Sequence, residues 1–304
     1  MGRRWDSATV LLPGGYVDEH GVTHREAELS PLTGREEEWL AGDRRSGLAQ
    51  RVTTLLSRCV SRIGSEGDVS EEVTRKLLVA DRHYLLLKLR ELTLGDQMRA
   101  HLCCPWPGCG KKVTVSFSVN DIPVTESVGQ GPFHTMELSE AAAFMPEQGD
   151  TCRELGFRLP NGGDQEILAP IVADKEARAA ALLLQRCIQS IGPFRYPNEA
   201  MVARLSPLAR MEIERKMESI APKVELTLES ECPECGREYA LPFDPAQFFF
   251  AELSLGRGRL HREVHYLAFH YHWSEQEIMG MPRSRRHTYI DVLAQEIEGL
   301  NHAI

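Results

Sequence analysis

ECPECGREYALPF (231–243) places Cys232 and Cys235 two residues apart, with Pro233 between them and Gly236 straight after. A closed structural zinc site takes four ligands, so this stretch is half of one. The other half is CCPWPGCGKKV (103–113), where Cys104 and Cys109 are spaced C-x4-C, again with Pro after the first and Gly after the second. Strand-like runs flank both pairs: MRAHL and KVTVSFSV around the first, KVELTLES and EYALPF around the second. Two hairpins that each offer two thiolates from a tight turn close a tetrahedral four-cysteine site. Gly110 and Gly236 can take φ > 0, which lets backbone N–H groups turn towards the sulfurs. The spacing predicts a zinc ribbon whose halves are separated by everything from 110 to 231.

Two other readings compete with zinc. A redox C-x-x-C opens a helix, whereas Cys235 is followed by Gly and a strand. Ordinary burial does not account for two matching C-P…C-G frames. Cys103, next to Cys104, stands as an alternative ligand. Cys59 and Cys187 lie on apolar helical faces and read as core; Cys152 has no visible partner.

With 304 residues, 42% hydrophobic and 26% charged, the chain can bury a sizeable core. A formal net charge of −9 argues against DNA, RNA and anionic membrane surfaces as partners. The start, MGRRWDSATVLLPGGY, is too short in apolar run for a signal peptide. ARAAALLLQRC (177–187) is broken by charge well before the ~20 residues of a membrane span. The expectation is a cytoplasmic protein without a disulfide framework.

Along the chain, ATVLLPGGYVDEHGVTHREAEL (8–29) reads as a β-hairpin turning at DEHG. Thr33 and Glu36 form a capping box. GLAQRVTTLLSRCVSRIG (47–64) reads as one amphipathic helix, and residues 69–92 as one long helix or two short ones. Residues 120–172 read as loop and strand, with turns at LPNGGDQE. Helices then start at Asp174 and at Ser206–Pro207. After the second knuckle, Asp244–Pro245 begins a helix to about 272, broken near Gly256 and Gly258. Ser274 and Glu277 form another capping box, and Pro282 opens the last helix. No internal repeat is evident apart from the knuckles. The fold expected is α+β and mostly helical, built around the split ribbon. Its parts are a hairpin (1–30), helices with the first knuckle (31–119), an inserted α+β subdomain (120–222), and the second knuckle with C-terminal helices (223–304).

No catalytic constellation emerges. HREVH (261–265) lacks the Glu directly after the first His that a zincin helix needs. LGRGRL (255–260) follows a helix and not a strand, so it is no dinucleotide fingerprint. The chain reads as non-enzymatic. Aromatic residues are in excess near the C-terminus, and Phe248, Phe249, Phe250, Tyr266, Phe269 and Trp273 are candidate partner-binding residues, with helix packing as the competing role.

LLPGGYVDEHGVTHREAELSPLTGREEEWLA (11–41), ADRHYLLLKLRELTLGDQ (80–97) and CPECGREYALPFD (232–244), in this order, resemble the phage baseplate hub assembly chaperone family of T-even-like contractile tails and bacterial contractile injection systems. REVHYLAFHYHWSEQEIMGMPRSRRHTYIDVL (262–293) resembles a short helical module of such gene clusters. The resemblance implies a binding protein acting in assembly of a tail tube, baseplate or hub, and supplies no catalytic residues. A zinc-ribbon nucleic-acid binder and a metalloenzyme are the alternatives; the acidic balance weighs against the first, a closed four-thiolate site against the second.

Overall fold

The computed structural model describes residues 7–302 apart from 44, 129–130, 148, 173 and 255–256. β1 (Ala8–Val17) and β2 (Thr23–Leu29) form the expected antiparallel hairpin. Asp18 closes its turn by accepting from the N–H groups of His20 and Val22, both at 2.9 Å. Then come α1 (Gly34–Gly42), capped by the Thr33–Glu36 box, and α2 (Leu48–Cys59). The helix expected over 47–64 stops at Cys59. Val60–Ile63 is instead β3, which pairs with β2; an open sheet edge outweighs helical periodicity for Val and Ile. α3 (Glu71–Lys76) and α4 (Val79–Leu94) lead into β4 (Gln97–Cys103) and β5 (Lys112–Ser118), the first knuckle hairpin.

A 3-10 turn (Val119–Asp121) and β6 (Val124–Thr125) lead to β7 (His134–Glu137) and β8 (Glu154–Phe157). α5 (Gly162–Val172) stands where the Gly-rich LPNGGDQE predicts turns. α6 (Glu176–Cys187) is capped at Lys175, not Asp174, and again gives way to a strand, β9 (Ile188–Ile191), paired with β10 (Phe194–Arg195). α7 (Glu199–Ala203), α8 (Pro207–Ile220), β11 (Lys223–Val224), β12 (Thr227–Glu231) and β13 (Glu238–Pro242) complete the second knuckle. α9 (Pro245–Ser254), α10 (Arg257–Tyr271), α11 (Glu275–Met279) and α12 (Arg283–His302) follow. Gly256, one of the two expected break points, and the basic pair at 3–4 lie outside the described residues.

The architecture contains a duplication that the sequence reading missed. Strands β1–β2–β3 form one antiparallel sheet, and β7–β8–β9, with β10 added, form another. Over β2–β3 and β8–β9 the two match bond for bond, at one constant spacing along the chain. Gly64 N–H donates to Glu26 O, and Gly192 N–H to Glu154 O, both at 2.8 Å. Ser30 N–H donates to Cys59 O at 2.8 Å, and Arg158 N–H to Cys187 O at 2.9 Å. Gly64 and Gly192 have φ of 56° and 55°, the left-handed region that glycine enters freely. The sequence trace is LLSRCVSRIG (55–64) against LLQRCIQSIG (183–192). Each sheet has its own core. The first holds Leu12, Leu29, Leu55, Leu56 and Ile63, and the second Leu155, Phe157, Cys187, Ile188 and Ile191. Each repeat ends in one knuckle, so the duplication brings the two halves of the cysteine site together.

Candidate metal centre

β4 and β5 pair in register from Gln97–Ser118 to Cys103–Lys112, and β12 and β13 from Thr227–Pro242 to Glu231–Glu238. Each hairpin carries its cysteines at the tip. Gly110 and Gly236 hold the expected positive φ, 58° and 66°. Matching backbone bonds close both tips: Cys104 N–H donates to Lys111 O at 2.9 Å and Cys232 N–H to Arg237 O at 3.0 Å.

The Sγ atoms of Cys104, Cys109, Cys232 and Cys235 all lie within 4.8 Å of one another. Cys104 faces Cys235 at 3.8 Å, and Cys109 faces Cys232 at 3.7 Å. These are far too long for disulfides. They match the edge, about 3.8 Å, of a tetrahedron of sulfurs around a zinc with ~2.3 Å bonds. Each close pair joins the first cysteine of one knuckle to the second of the other, as two-fold related hairpins require. Cys104 and Cys232 are buried, walled by Val113 and Tyr239, with Leu102, Val115 and Leu241 around them. Trp106 reaches across, its Nε1–H donating to Glu238 O at 3.0 Å.

The donors are tuned unequally. The backbone N–H groups of Cys235 and Glu234 bring the Cys232 thiol down to about 7, while burial pushes Cys104 up to about 12. Four sulfurs this close cannot all ionise without a cation among them. The site therefore fits a soft divalent metal bound by four thiolates, with no position left for substrate.

Cys103 is exposed and outside the cluster; strand alternation turns it to the face opposite Cys104. Cys59 and Cys187 are buried, equivalent positions of the two repeats, their thiols raised by burial. In HREVH, Glu263 accepts from Arg286 and lies 3.0 Å from the His287 ring, while His261 and His265 are exposed. Among the described residues, the four cysteines are the one cluster able to hold a metal.

The aromatic candidates divide. Phe249 and Phe250 are buried in the first core, and half-buried Phe248 packs on Phe243 at 5.3 Å; the Phe run is packing and cannot serve as a free docking edge. Trp273 stacks on Tyr271 at 4.6 Å and meets Tyr289 edge-on, and Tyr266 is half-buried. Phe269 is 67% exposed.

Two arginines are wholly buried: Arg82, which nothing in the sequence singles out, and Arg286, inside a run RSRR (283–286) that reads as a solvated helix start. Arg82 donates to Gln165 (2.9 Å), Thr74 O, Ala49 O and Thr53. Arg286 donates to Glu37 (2.6 Å), Glu263 and Met281 O. The available signal was the Arg-His pair recurring at 82–83 and 286–287.

A family model for T4 bacteriophage base plate protein matches residues 19–250. The chain belongs to that family. The match runs from the first hairpin turn into α9, so it takes in both knuckles and both repeats except β1, and leaves α10–α12 outside. No curated protein and no solved structure matches the chain. Family membership makes this a baseplate-associated protein and a relative of components that work alongside other baseplate proteins. Among the described residues, no helix is long and apolar enough to cross a membrane.

Proposed function

We propose that the protein is a non-enzymatic assembly factor of a contractile tail or contractile injection system, either a chaperone or a minor component of its baseplate or hub, stapled by one structural zinc. The family match over residues 19–250 carries this reading. The cysteine site supports it: four converging thiols saturate a tetrahedral metal and leave nothing for catalysis. The zinc's role is to tie hairpin tips more than a hundred residues apart, fixing one repeat against the other. Its partners are tail tube, baseplate or hub proteins, met in the cytoplasm where particles assemble.

The test is deletion of the gene from its tail cluster, with particles counted by electron microscopy. Complete particles at wild-type yield without the protein would refute an assembly role. Failure of baseplates or tubes, rescued by the intact gene, supports it, and mass spectrometry of finished particles then separates chaperone from resident component.

A further inference from the structure

The chain builds one helical unit three times: a helix, a short capped helix, and a long helix with an arginine one turn in. The units are α2–α3–α4, α6–α7–α8 and α10–α11–α12. Ser70, Asn198 and Ser274 cap the short helices in the same way, each accepting from the N–H three residues on. The arginines are Arg82, Arg210 and Arg286.

Two of the units hold a guest. α2–α3–α4 holds the start of α5, where Leu78 forms a bridge with Asn161 and Arg82 donates to Gln165. α10–α11–α12 holds the start of α1, where Pro282 forms a bridge with Thr33 and Arg286 donates to Glu37. The guests share a pattern, Thr33-Gly34-x-Glu36-Glu37 and Asn161-Gly162-x-Asp164-Gln165. The glycine is imposed by contact: a Cβ at Gly34 would lie 2.9 Å from Met279 Sδ, and one at Gly162 2.3 Å from Arg82 Nη1.

The third unit is built the same way and, among the described residues, holds no such guest. Arg210 is anchored to its own unit, Nη2 donating to Ala203 O at 2.7 Å, as Arg82 is to Thr74 O and Arg286 to Met281 O. Its buried Nε has no partner. Among the described residues, no bridge forms at Ser206, the counterpart of Leu78 and Pro282. Thr53, buried under the guest on α2, corresponds to half-buried Ala181 on α6, and half-buried Ala49 to exposed Ala177. The β7–β8 loop bonds this unit through Ser139 to Glu212 of α8 and through Met145 O, which accepts from Arg204 at the end of α7; neither contact reaches Arg210 or Ser206.

We infer that the α6–α7–α8 face docks a capped helix start of the Thr/Asn-Gly-x-acid-Glu/Gln type on a different baseplate protein. A second copy of this chain is the poorer guest, because both of its own such starts arrive already clamped. The inference rests on the assembly reading above and names the partner's chemistry.

The test places the photocrosslinker p-benzoylphenylalanine at Ala181 of the full-length chain, expressed with its tail cluster, and sequences the crosslinked peptides. Crosslinks are expected beside such a motif in another baseplate protein. They should fall at least roughly tenfold on adding Arg210→Glu, since removing one buried charge partner weakens an interface that far. Circular dichroism and metal content confirm that this variant folds; Ala177→Arg serves if it does not. Crosslinks absent, directed to a second copy, landing on a segment without the motif, or indifferent to both variants would overturn the inference. If deletion of the gene blocks assembly and Ala181 still captures nothing, the docking face alone is wrong and the assembly role stands.

Discussion

Arg286 donates to Glu37 at 2.6 Å, joining the last helix to the first across 249 positions of the chain. Arg82 donates to Gln165 in the same relation between the two repeats. The two clamps run head to tail. The C-terminal helices grip the first repeat, and the first repeat grips the second. This gives α10–α12, which lie beyond the family match, a structural role as the cap of a short array.

Breaking the first clamp should release that cap. Arg286 is fully buried, and Glu37 and Glu263 are 12% and 11% exposed. Removing Glu37 leaves Arg286 with Glu263 as its one carboxylate partner and an unsatisfied buried Nη2 donor, a loss of about 1.5–3 kcal/mol for a charge-assisted bond. Glu37→Ala is therefore expected to raise amide exchange of α10–α12 by at least about tenfold, with β7–β9 unaffected. Glu37→Gln should stay within about 1 kcal/mol of wild type, since Gln165 serves Arg82 in that role. Equal exchange in wild type and Glu37→Ala would show that the clamp does not hold these helices.

Gly→Ala near a helix start commonly stabilises by about 0.4–1 kcal/mol. At Gly162 it should do the reverse, by about 1–3 kcal/mol, because the new methyl meets the guanidinium of an immobile, buried Arg82. Gly34→Ala meets Met279 side chain and backbone and should also destabilise. A methyl at Gly42 would meet nothing within 4 Å, which makes that position the internal control. Denaturant midpoints of the three variants decide it; a stabilised Gly162→Ala would remove close approach as the reason for glycine.

Asp81 gives the fold a pH dependence. Its Oδ1 accepts from Gly14 N–H at 2.7 Å, while its buried Oδ2 has no partner. Burial raises its pKa from 3.8 to about 6. The folded chain thus holds this proton more tightly than the unfolded one. Its contribution is fully favourable below about pH 4 and is lost as pH rises through about 6, at a cost near 3 kcal/mol from roughly 1.4 kcal/mol per unit. Asp81→Asn keeps an acceptor for Gly14 and removes the charge. It should raise the melting temperature at pH 7.5 and flatten this part of the stability profile between pH 4 and 6. An unchanged profile would mean that Asp81 is paired or hydrated in solution.

The cysteine frames were legible because metal chemistry fixes residue type, spacing and the following glycine together. Capping boxes at Thr33 and Ser274 were legible because they are local. Val60–Ile63 and Ile188–Ile191 were not, since only the neighbouring strand makes them extended. LPNGGDQE read as a turn because the reason for Gly162 is an arginine eighty residues earlier in the chain. The duplication hid for a related cause. Its constraints are mostly backbone bonds, which tolerate almost any side chain outside LLSRCVSRIG and its counterpart, and a few isolated glycines at sites of close approach.

The cysteine cluster yields the sharpest prediction. Protein purified without added metal should carry one zinc per chain, held by Cys104, Cys109, Cys232 and Cys235. The sulfur separations of 3.7 and 3.8 Å already have the dimensions of a tetrahedral thiolate site. Cys104→Ser and Cys232→Ser should each lose the metal, and Cys103→Ser should keep it, because Cys103 is exposed on the other face of β4. Among the described residues, the buried apolar groups at the hairpin tips are Val113 and Tyr239 beside the cysteines themselves, too few to hold two two-stranded hairpins together in water. Chelation is therefore expected to deprotect the amides of β4–β5 and β12–β13 first, ahead of the sheets in either repeat. Elemental analysis and hydrogen exchange with and without chelator read both effects. Less than about a tenth of an equivalent of zinc or iron, with all four thiols free to react, would exclude a structural metal. The hairpins would then be held by Phe117 against Phe243, edge to face at 5.7 Å, and by the rest of the small cluster beneath them.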